Sequence, residues 1–96
     1  MADIGEVIGQ ARALIVGARA ADTSALRSQA DALRDDVEEL LFEGEHLEAC
    51  GLLSDALASV LLWARARDRG DVDRAGDYLE QAGLFADAAH QSLLGN

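Results

Sequence analysis

The chain predicts an all-α fold, an antiparallel four-helix bundle built as helical hairpins. Three observations carry that expectation. Apolar residues recur at i, i+3, i+4 and i+7 from end to end, and none of the 96 residues is proline. Glycines and capping residues then punctuate the pattern where helices would end.

Ile4, Val7, Ile8, Ala11, Leu14 and Ile15 form the first stripe, which predicts a helix from about Ala2 to Ala20. Gly5, Gly9 and Gly17 each weaken it by about 1 kcal/mol relative to alanine, although glycine also lets a neighbouring helix approach. Asp22, Thr23 and Ser24 offer N-caps for a second helix that runs to about Glu43. Its stripe is Leu26, Ala30, Leu33, Val37, Leu40 and Leu41. Leu26, Leu33 and Leu40 keep a heptad spacing, which suits coiled-coil-like packing. Gly44 fits the turn that follows. A third helix is predicted from about Glu45 to Arg69, with Gly51 and Ser54 as a point where it could break. Leu52, Leu53, Leu57, Val60, Leu61, Leu62 and Trp63 make it apolar nearly all round, so it is expected to be central or to meet a second subunit. Gly70 fits a left-handed helix end and Asp71 the N-cap of a fourth helix reaching Leu94 and ended by Gly95. Arg65, Arg67 and Arg69 fall where a helix C-terminus favours cations. The fourth stripe is Val72, Ala75, Leu79, Ala82, Ala86, Ala89 and Leu93. Short turns between successive helices favour antiparallel neighbours.

The length suits one domain, residues 1–96. Half the residues are hydrophobic but aromatics are only 4%, so the core is rich in small side chains and gains little per residue. Self-association into a homodimer or larger homo-oligomer is the expected supplement. The formal charge is −10, from 18 acids against 8 bases, all of them arginine. That balance disfavours nucleic-acid phosphates and anionic membranes, and favours a basic protein partner. The single cysteine, Cys50, excludes an internal disulfide framework and reads as a small core residue. The N-terminus lacks a basic n-region and an apolar h-region, and no run approaches 18 apolar residues. The expectation is a cytoplasmic protein without a membrane span.

Residues 70–82, GDVDRAGDYLEQA, resemble the turn and second helix of a tetratricopeptide repeat. Gly70 and Asp71 match the turn, Ala75 and Ala82 the small positions, and Tyr78 or Leu79 the large one. The preceding helix departs from the pattern: Trp63 stands where the repeat wants a small residue, and Ala66 where it wants a large one. The resemblance covers half of one repeat and implies protein binding without chemistry.

Each histidine follows an acid by three residues, Glu43 before His46 and Asp87 before His90. Carboxylate-x-x-His on two helices is similar to the ligand pattern of ferritin-like dimetal bundles. An up-down-up-down topology would put both motifs at one pole, with Asp3 and Glu6. Glu6, however, projects opposite the Ile4–Ile8–Ile15 stripe, and Asp55 points away from the apolar arc of the third helix. The inward carboxylates that those helices should supply are missing. A metal bundle held by Glu43, His46, Asp87 and His90 therefore stands as the alternative, and no cofactor is expected.

Asp31, Asp35, Asp36, Glu38, Glu39, Glu43, Glu45 and Glu48 fall within 18 residues, opposed only by Arg34. Most lie off the Leu26–Leu33–Leu40 stripe, forming a charged face that would steer a basic partner. Colicin immunity proteins are similar in size and charge, without a shared motif. No nucleophile arrangement stands out, since Ser54, Ser59 and Cys50 have no adjacent histidine. The sequence reading is a non-enzymatic interaction protein: an adaptor, chaperone or inhibitor of immunity type. Leu57, Leu61 and Trp63 are its expected apolar anchor, and Asp35, Glu38, Glu39 and Glu43 its steering acids.

Overall fold

A computed structural model describes residues 3–95. It contains four α-helices and, among the described residues, no strand. They are α1 (Ile4–Gly17), α2 (Thr23–Glu43), α3 (Leu47–Asp68) and α4 (Val72–Leu94), with a 3-10 turn at Ala18–Ala20. The expected start at Ala2 lies outside the described residues. The first helix stops at Gly17, short of the expected end at about Ala20, because the backbone tightens into the 3-10 turn there.

Local chemistry sets the ends. The Asp3 carboxylate accepts from the Glu6 N–H at 3.3 Å and caps α1. Asp71 does the same for α4, accepting from the Arg74 N–H at 3.3 Å. Asp22 occupies the N-cap of α2 without a side-chain bond. Gly70, at φ 76°, closes α3 with paired bonds: its N–H reaches Arg67 O, and the Asp71 N–H reaches Ala66 O at 2.9 Å. That is the Schellman arrangement, which a Cβ at this φ would strain. Gly44 ends α2 in the same left-handed region, at φ 78°.

Neighbouring helices run antiparallel. Arg27 near the start of α2 pairs with Asp68 at the end of α3 at 2.8 Å. Arg12 of α1 pairs with Asp87 of α4 at 3.4 Å. α3 packs along α4 and also against α2 and α1. The molecule is elongated, 39 × 23 × 17 Å. The Gly44 pole gathers the start of α1, the end of α2, the start of α3 and the end of α4, and the Gly70 pole gathers the opposite ends.

The stripes are the core, with corrections at their edges. Ile4, Val7, Ile8, Ala11 and Leu14 are buried, as are Leu26, Ala30, Leu33, Val37 and Leu40, while Ile15 is half-buried. Leu41, counted in the second stripe, is 38% exposed. Val72 and Leu93, at the two ends of the fourth stripe, are exposed and half-buried respectively.

α3 is unbroken. Gly51 costs about 1 kcal/mol against alanine, which the burial of Leu53, Leu57 and Val60 outweighs at about 1.5–3 kcal/mol for each large side chain. α3 is also the one described helix whose length and mean hydropathy of 1.5 reach what a bilayer crossing requires. No uninterrupted apolar run predicted this; alanines, Gly51 and Cys50 between the leucines raise the average. Half of that stretch is buried by the other helices.

Candidate functional site

The expected apolar anchor is not a surface. Leu57 and Trp63 are buried in the core, and Leu61 is half-buried against it. α3 has an apolar circumference because three helices cover it. Among its large apolar side chains only Leu47, at its first turn, and Leu62 are exposed. The spare face that suggested self-association through the third helix is thus taken up within the chain.

The four acids expected to steer a partner lie on the surface. Asp35, Glu38, Glu39 and Glu43 are exposed on α2. Phe42 sits among them, 94% exposed. It lies two residues, about 200° of helix, beyond buried Leu40. Glu38 and Glu39 precede it by four and three residues, so both flank it one turn away. Phe42 falls outside the apolar stripe of α2, so helical periodicity alone does not mark it. Its angular offset from Leu40 was the available signal.

The turn after Phe42 folds a second apolar group beside it. The Gly44 N–H bonds to Leu41 O at 3.1 Å, and His46 follows in the left-handed region at φ 53°. Such a φ is uncommon for a residue with a Cβ. α3 starts directly afterwards with Leu47, 58% exposed. A small cleft of about 150 Å³ joins this start to the end of α4, with His46, Leu47 and Glu48 on one wall and Ser92 and Leu93 on the other. Leu94 is 64% exposed on the same pole. This corner therefore shows Leu41, Phe42, Leu47 and Leu94 to solvent among Glu38, Glu39, Glu43, Glu45 and Glu48.

Charge is segregated along the molecule. Arg19, Arg27, Arg65, Arg67, Arg69 and Arg74 occupy the elements at the Gly70 pole. No arginine lies between Arg34 and Arg65 or beyond Arg74. The corner at Gly44 is thus acidic, with no arginine beside it among the described residues.

A second concave surface lies between α1 and α2. It is an open groove of about 450 Å³, to which α1 contributes Gln10, Ala13 and Leu14, and α2 contributes Gln29, Ala32, Leu33 and Asp36. Leu14 and Leu33 form its floor, while Ala13 and Ala32 stand exposed on its sides. Asp36 is its one charged residue.

The alternative ligand set does not assemble. Among the described residues no group of three or more histidine, cysteine, aspartate or glutamate side chains could hold a metal ion. Asp87 instead pairs with Arg12. Glu43 and His46 are exposed on either side of the Gly44 turn. Cys50 is buried, its thiol 3.8 Å from Glu45 O, and burial pushes its pKa above the ordinary thiol range. That favours the neutral thiol over the thiolate.

In the segment that resembles a tetratricopeptide half-repeat, Ala75, Leu79 and Ala82 are buried and Tyr78 is half-buried. Trp63 is buried at the departing position. No protein-family model matches the chain, and no curated protein and no solved structure matches it.

Proposed function

We propose that this chain is a small acidic protein-interaction module, acting as an adaptor, chaperone or inhibitor, that docks a basic segment of another protein at the α2–α3 corner. The observation that supports it is Phe42, 94% exposed on an acidic helix and within one turn of Glu38 and Glu39. An exposed aromatic side chain gains little where it stands, and it is the kind of residue that anchors interfaces. Leu41 and Leu47 extend the apolar contact, and Glu39, Glu43 and Glu45 surround it. A second copy placed here would bring like charges together, which disfavours that occupant. The half-repeat resemblance of residues 70–82 is in keeping with a helical module that binds protein.

The test is capture of the partner from the native host, followed by binding kinetics with the purified pair. Phe42→Ala should weaken affinity by about tenfold, mainly through faster dissociation. Replacing Asp35, Glu38, Glu39 and Glu43 with their amides should slow association and flatten its salt dependence. Kinetics unchanged by both variants would remove the corner from the mechanism.

A further inference from the structure

The α1–α2 groove lies outside the corner and has a different shape. It is concave, open to solvent, and floored by Leu14 and Leu33. Its lining on α2 runs from Gln29 to Asp36, a span of eight residues and about 10 Å, or two helical turns. We propose that this groove seats one amphipathic α-helix of a partner protein, with aliphatic side chains on the leucine floor and a lysine or arginine opposite Asp36. The inference rests on the reading of the chain as a binder of basic protein segments, and it adds a second site, separate from the corner, with the form of segment that this site takes.

Three features carry it. The first is space at the helix surfaces. Ala13 and Ala32 end at Cβ on the sides of the groove, so a third helix can approach to ordinary packing distance, about 8–10 Å between axes. Two helices with a leucine floor and small shoulders present the hole into which side chains spaced i, i+3, i+4 and i+7 fit. The second is openness. Pockets for small ligands bury roughly 70–90% of their occupant, whereas this groove is open along its outer side. The third is charge. Asp36 is half-buried at the groove, and no arginine lines it. Arg34 projects about 160° away from Asp36 around α2. Arg12, on α1, is turned to Asp87 of α4. A cation arriving with the partner therefore meets a carboxylate without a competing neighbour. Gln10 and Gln29, one on each helix, add amide donors and acceptors for the polar edge of the docked helix.

A second copy of the chain fits less well. A twofold arrangement through α2 would set Asp31, Asp35, Glu38 and Glu39 against their own counterparts, and like charges face to face are costly.

The probe is a fluorescent peptide of about 18 residues, long enough for stable helix in the bound state, with leucine and lysine at amphipathic helical spacing. A scrambled peptide of the same composition is the control. Binding is followed by anisotropy and by amide chemical shifts of the full chain. The amphipathic peptide should shift the Ala13 and Ala32 amides and the side-chain amides of Gln10 and Gln29. Ala32→Phe, which fills the groove, should weaken it about tenfold, and Ala13→Phe serves as a second filling variant if the first fails to fold. Asp36→Asn should weaken it several-fold and reduce the salt dependence, while Phe42→Ala should leave it unchanged. Equal binding of the scrambled peptide would overturn the inference. The same shifts on concentrating the protein alone would also overturn it, because the occupant would be a second copy. Shifts confined to Phe42 and Leu47 would overturn it while leaving the corner reading intact. Absence of binding by either peptide at any site would sink both.

Discussion

Arg67 makes three contacts through one side chain. Its guanidinium donates to Ala21 O at 2.8 Å, with a longer contact of 3.5 Å to Ala18 O. It also lies 5.2 Å from the centre of the Trp63 ring. The carbonyls belong to the connection between α1 and α2, so the end of α3 pins the turn that lets α2 reverse direction. Arg67 lies in the last turn of α3, where its place in the sequence puts it. Its partners, 46 and 49 residues earlier, come from the packing of α3 against that turn. Bonds from a charged donor and a cation–π contact, discounted for exposure, together suggest a cost of about 1–2 kcal/mol for Arg67→Ala in urea unfolding. Arg67→Lys should recover only part of this, because an ammonium cannot reproduce the planar fork over the indole while reaching a carbonyl. Full recovery with lysine would reduce the contact to charge alone.

At the scale of one helix, the glycines separate propensity from packing. A Cβ added at Gly51 would meet nothing within 4 Å, and the same is true at Gly9. Neither glycine is required for helices of this chain to approach one another. Gly51→Ala should therefore stabilise the fold by about 0.5–1 kcal/mol, seen as a rise in Tm of a few degrees. A loss of stability would show that the position is occupied in solution by something outside the chain. α3 itself shows why local signals rank alternatives poorly. Gly51 and Ser54 are a legitimate stop and start, and only the burial of Cys50 before the break, Leu53 within it and Leu57 after it favours continuity.

For the whole molecule, the contrast is between Leu57 and Phe42. Both are large apolar residues on helices with ample apolar content, yet one is fully buried and the other 94% exposed. Leu57→Ala should cost about 2–5 kcal/mol, a large share of the roughly 5–15 kcal/mol that holds a domain together. Phe42→Ala should change stability by no more than about 0.5 kcal/mol. Denaturant unfolding of the two variants measures the division between core and surface directly. Reversed costs would overturn the assignment of α3 to the interior.

The sequence by itself determined the helices, their polarity and most of their buried faces. Period, caps and glycine turns are local, and each is written within a few residues. It also placed the acids of α2 on the surface, since a helix with a well-marked apolar stripe leaves its charged residues on the other side. Which apolar surplus is covered, and which is left open, was decided only by the tertiary structure. The excess on α3 is absorbed by three neighbours, while Phe42 lies off the core stripe of α2 and Leu47 sits at an exposed helix start. Leu57 and Trp63 consequently belong to the core, and the open apolar surface moves to the acidic pole at Gly44 and to the groove between α1 and α2. Burial depends on how many helices surround a residue, and the chain's periodicity counts faces without counting neighbours.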